Sequence, residues 1–79
     1  MERLQVAYAY LQAGDWQAAH EIVQADNSAL ASWMHAVVHL LEGDESNANY
    51  WFKQAGKMSC SVDRIQAELE KIKRVIEGK

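Results

Sequence analysis

The chain has 79 residues, about half of them apolar, with three tryptophans, one cysteine, no proline and a formal net charge of −3, which is enough for one small domain around a single well-packed core and too little for a second. It has no run of ~18 apolar residues for a membrane span, and Glu2 and Arg3 ahead of a polar-interrupted segment do not read as a signal peptide, so a cytoplasmic protein is expected. A lone Cys60 excludes an internal disulfide and a cysteine-built metal site, and is expected to be a spare, buried or half-buried thiol rather than a nucleophile.

Glu2 to Ala13 is predicted to be the first helix, with Leu4, Tyr8 and Leu11 on one stripe and Val6, Tyr10 and Ala13 on another, a pattern that suits burial on two sides. Gly14 stops it and Asp15 caps the next helix, which carries Trp16, Ala19, Ile22 and Val23 at helical spacing and ends at Asp26-Asn27-Ser28. A third helix, Ser28 to Glu42, sets Leu30, Trp33, Val37, Leu40 and Leu41 around a broad face. Gly43-Asp44 then repeats the stop and start of Gly14-Asp15, twenty-nine residues on. The fourth helix puts Ala48, Trp51, Phe52 and Ala55 on its apolar side before Gly56. After the polar link Lys57 to Ser61, the last helix spaces Val62, Ile65, Leu69, Ile72 and Ile76 by threes and fours, a seam of heptad type. No segment alternates with period two, so no strand is expected.

The fold class expected is therefore all-α: two stacked antiparallel helical hairpins, residues 1–27 and 28–56, plus a C-terminal amphipathic helix, residues 61–78, that caps them or pairs with a second copy. Residues 1–52 hold seven acids against one base, and residues 53–79 hold seven bases against four acids. The basic tail is expected to dock on the acidic hairpins of its own chain or of a neighbour, and nucleic-acid binding is not expected without clustered arginines and interleaved aromatics.

A helix, Gly-Asp, a small residue five positions after the glycine (Ala19, Ala48) and an apolar residue four further on (Val23, Phe52) together resemble the tetratricopeptide repeat hairpin. In that family small residues let paired helices approach closely; its units run to ~34 residues, so the two here are shortened. A narrower resemblance covers Gly14 to Gly56. The run Trp33-Met34-His35-Ala36-Val37-Val38-His39-Leu40-Leu41-Glu42-Gly43-Asp44, continuing through Asn47-Ala48-Asn49-Tyr50-Trp51-Phe52, is similar to a signature of uncharacterised bacterial and fungal proteins. In those a basic residue usually follows the second histidine, where this chain has Leu40. That resemblance implies that the histidines, Asp44, Asn47, Tyr50 and Trp51 form one constellation, and attaches no activity to it.

The candidate polar cluster is His35, His39, Glu42, Asp44 and Asn47. His35, His39 and Glu42 recur a turn apart on one stripe of the third helix. Two histidines at i and i+4 can chelate a divalent metal with a carboxylate one turn on, and His20 beside Glu21 on the second helix could add a ligand, so His20, His35 and His39 are the metal candidates. Against that stands a structural reading, in which half-buried His35 and His39 hydrogen-bond to Asp44, Asn47 and the Tyr50 hydroxyl of the next helix. An acid–base pair is a third reading; Ser32 lies one turn before His35 but lacks an oxyanion hole. Trp33, Tyr50 and Trp51 are the candidate aromatic interaction surface. Of the consecutive Tyr50, Trp51 and Phe52, Tyr50 is expected to point outward. Trp16, just after its cap, either staples its helix to the first or stands exposed. Neither Gly-Asp turn can cradle phosphate, because each sets an acid at the helix N-terminus where the anion would sit.

The function expected is a small non-enzymatic protein-interaction module with no cofactor, working with a protein partner or by self-association and without membrane or nucleic acid; the alternative is a metal-dependent or acid–base site on His35, His39, Glu42 and Asp44.

Overall fold

Each Gly-Asp pair turns the chain by the same two devices. In the computed structural model, which describes residues 2–78, Gly14 (φ 80°) and Gly43 (φ 90°) take the left-handed conformation that costs glycine least. The amide of the following aspartate reaches back to the carbonyl five residues earlier, Asp15 to Tyr10 at 2.9 Å and Asp44 to His39 at 2.8 Å. This is the Schellman closure, which satisfies carbonyls the helix end would otherwise leave free. The aspartate side chains then accept from the third residue on, Ala18 N at 3.2 Å and Asn47 N at 3.3 Å, and so start the next helices.

The helices are α1 (Glu2–Gln12), α2 (Trp16–Val23), α3 (Ala29–Glu42), α4 (Glu45–Gln54) and α5 (Ile65–Glu77), the last preceded by a 3-10 turn at Val62–Arg64. Among the described residues there is no strand, and no helix is long and apolar enough to cross a membrane. α1 packs on α2 and α3 on α4; α2 lies against α3 to stack the two hairpins, and α5 lies across α1 and α3. Ala19 and Ala48 are fully buried on the inner faces of α2 and α4, where a larger side chain would hold the paired helices apart. Cys60 is half-buried, and burial pushes its thiol above the usual range, with the Glu68 carboxylate adding to the rise, so it is a poor nucleophile.

Two sequence expectations change with packing. α1 is buried on one side only: Leu4, Ala7 and Leu11 enter the core, whereas Val6 and Tyr10 are exposed. The elements that touch α1 are α2, α3 and α5, and they leave its outer stripe to solvent. α3 is the reverse case, buried continuously from Ala31 to Val38 rather than on one face. It is the central helix, with α2, α4 and α5 all packed against it.

The amphipathic seam of α5 folds back on its own chain. Ile65, Leu69 and Ile72 are buried, Ile76 is partly so, and Val62, in the 3-10 turn, is exposed. The docking is apolar and is fixed by one buried hydrogen bond, in which Trp33 Nε1 of α3 donates to Glu68 Oε1 at 2.9 Å. The other Glu68 oxygen accepts from Lys71 Nζ at 3.2 Å, and Lys57 Nζ sits 4.3 Å over the Trp33 ring. The basic tail thus reaches the acidic hairpins through apolar contact and this one bond; the ion pair of α5, Lys71 with Glu68, lies within the helix. Trp33, placed by sequence on an interaction surface, is 4 % exposed and belongs to the core, because α5 covers it. Trp33→Phe strips the donor from a buried carboxylate and is expected to cost about 2 kcal/mol in urea unfolding. Adding Glu68→Leu to it should recover part of the loss, since the unpaired charge is then gone as well.

Candidate functional site

Packing α2 on α3 brings the three histidines of the chain together. On α3, His35 and His39 are one turn apart, and their rings stack with centroids 5.0 Å apart. His20 comes from α2, next in sequence to the buried Ala19. Its ring meets His35 edge-on at 4.7 Å and His39 at 5.5 Å. One nitrogen from each of the three lies within 4.8 Å of the others. His35 is 5 % exposed, while His20 and His39 are partly buried.

The fourth wall is aromatic. Trp51 of α4 lies flat on His35, with centroids 3.9 Å apart and planes 8° apart, and Tyr50 stands edge-on to Trp51 at 5.1 Å. Burial against these rings removes water from the His35 imidazole, and the neighbouring His20 and His39 disfavour a third positive charge, so its pKa is pushed down to about 4. His35 is therefore neutral at physiological pH, with a lone pair available.

The carboxylates take other places than the predicted network assigned them. Glu42 Oε1 lies 2.7 Å from His39 Nδ1, a hydrogen bond between neighbours on the same helix. Asp44 turns toward its own helix: besides capping, its Oδ2 accepts from Asn47 Nδ2 at 2.7 Å, and these bonds hold its carboxyl below the usual carboxylate range. Tyr50 points outward at 53 % exposure. The expected bonds from His35 and His39 across to Asp44, Asn47 and the Tyr50 hydroxyl are thus replaced by Glu42 on His39 and Trp51 on His35. The physical reason is the cap: the bonds that close the first turn of α4 join the Asp44 carboxylate to the Asn47 backbone and side-chain amides, so the two groups serve each other. Asp44, Glu42 and His39 nonetheless present donor atoms within 4.8 Å of one another, so the polar cluster is contiguous with the histidine cluster through His39. Ser32 is buried on the His35 stripe.

The i, i+4 spacing on α3 showed two of the histidines. His20 was a metal candidate in the sequence, but the place it takes beside His35 and His39 depends on the stacking of α2 on α3, and the Trp51 stack on the crossing of α4. No protein-family model, curated protein or solved structure matches the chain.

Proposed function

We propose that the chain is a non-enzymatic helical module, built of shortened tetratricopeptide-like hairpins, that receives a protein partner on the Tyr50–Trp51 face of α4. The observation that carries this reading is the aromatic stack. Tyr50 is half exposed yet held edge-on to Trp51, which is itself laid flat on the buried His35. A large aromatic group that is already fixed loses little conformational freedom on binding, which is what makes tyrosine and tryptophan effective anchors at interfaces. A shallow groove beside Tyr50 is lined by Ser46, Asn49, Lys53, Lys57 and Ser59. Two lysines beside an aromatic anchor favour an acidic partner segment that carries an apolar side chain. The buried seam of α5 supports the same reading, since the surface that would pair two copies through that helix is spent within the chain.

Display selection of random peptides on the immobilised chain is expected to enrich acidic sequences with one aromatic or leucine anchor. Tyr50→Ala, at an exposed position that leaves the fold intact, should weaken the selected peptides by about tenfold or more, as truncating an interface anchor does. Peptides indifferent to Tyr50→Ala, or that shift amide resonances away from α4, would overturn the assignment of this face.

A further inference from the structure

We propose that His20, His35 and His39 bind a divalent transition-metal ion of the zinc type, clamping α2 to α3. Three imidazole nitrogens from two helices are already within 4.8 Å of one another. A tetrahedral ion with metal–nitrogen bonds of ~2.0–2.1 Å needs them about 3.3 Å apart. Small rotations of side chains close that difference without moving the backbone of a core helix. The ligand set selects the ion: three nitrogens without an oxygen suit zinc, cobalt, nickel or copper, whereas calcium and magnesium require oxygen cages.

The surroundings of the three rings match what a histidine site needs. His39 meets Glu42 through Nδ1 at 2.7 Å. With the proton on Nδ1, Nε2 is left with the free lone pair, the arrangement in which a carboxylate orients a ligating histidine and raises its basicity. The flat Trp51 ring holds the plane of His35. Among the described residues, the bond to Glu42 is the one side-chain hydrogen bond that the three rings make, which leaves their other nitrogens free for a cation. The half-buried His20 keeps one side of the cluster open, so that water completes the coordination as the fourth ligand. Cys60 takes no part, since it lies with Glu68, Arg64 and Lys71 at the start of α5.

The test uses the full chain, stripped with a chelator and titrated with Co(II) and then Zn(II). Expected are a visible Co(II) absorption band that Zn(II) bleaches at one equivalent, concerted shifts of the three histidine side-chain resonances, and a melting temperature raised by more than ~8 °C at a hundredfold excess over Kd. His20→Gln, at a partly exposed position outside the central helix, should lower affinity at least tenfold while the metal-free protein keeps its melting temperature. Glu42→Ala should lower affinity by about 10–100-fold, with Glu42→Gln retaining most of it. No Co(II) band together with no thermal shift would overturn the proposal. So would unchanged affinity in His20→Gln, which would put the cation on His39, Glu42 and Asp44 instead. Because Tyr50→Ala leaves all three ligands in place, the peptide and metal experiments fail independently.

Discussion

Phe52→Ala is expected to leave the chain at or below the threshold of folding. Phe52 is fully buried and is the largest such side chain in the domain, on the face of α4 that meets α3. Removing a buried phenylalanine costs about 3–5 kcal/mol, the transfer of the ring plus the cavity left behind. A domain of 79 residues has roughly 4–12 kcal/mol in all. The loss is therefore about a quarter of the total at the least and more than all of it at the most. Urea unfolding followed by circular dichroism checks this, with the midpoint expected to collapse or no cooperative transition to remain. Phe52→Leu keeps most of the volume and should cost under about 1.5 kcal/mol. Because Trp51 adjoins Phe52 on α4, a loosened α4 should also release the His35 stack, and the resonances of His35 should move before global unfolding. Equal effects of the leucine and alanine variants would show that the α3–α4 contact is not the keystone of the core.

Acid should weaken the metal-free protein well above the pH at which carboxylates titrate. The folded pKa of His35 is depressed to about 4 from its ordinary 6.5 by burial and by His20 and His39. The unfolded chain therefore takes up the proton first as pH falls. Stability held by the neutral ring is fully present above about pH 6.5 and is lost progressively toward pH 4, at up to ~1.4 kcal/mol per pH unit. Solvent at the open side of the cluster screens part of this, so the net loss expected over the window is about 2 kcal/mol. Asp26, Asp44 and Asp63 have carboxyls held below the ordinary 3.8, so what they contribute is lost only at lower pH and the two effects separate. Urea midpoints between pH 7 and 4.5 test it. The slope should flatten in His35→Gln, whose amide has no proton to gain, and an unchanged slope would remove His35 as its source.

Most of the architecture was legible because the signals that make it are local. Gly14-Asp15 and Gly43-Asp44 each contain a residue suited to the left-handed closing position and one that caps the next turn, so both corners could be read from two adjacent residues. The outward Tyr50 was legible for a similar reason, since three consecutive aromatics cannot share one helix face. Less of the site could be read. Trp33 could be read on the apolar face of its helix and also as an interaction surface, because its cover, α5, lies thirty-five residues away at Glu68. His35 and His39 were expected to find hydrogen-bond partners on α4, but periodicity does not say that Asp44 and Asn47 are already bonded to each other.

By itself the sequence determined an all-α chain of helical hairpins, the places where it turns, the apolar seam of its last helix and the pairing of two histidines on one stripe. Each of these depends on dihedral preference, capping or 3.6-residue periodicity, all of which act within a few residues. Only the tertiary structure decided that α1 is covered on one side, that α5 closes on its own chain through Trp33 and Glu68, and that His20 and Trp51 complete the cluster around His35. Those outcomes depend on which helix faces cross. Crossing is set by the close packing of the whole core around α3, in which small residues such as Ala19 and Ala48 admit one approach and exclude others.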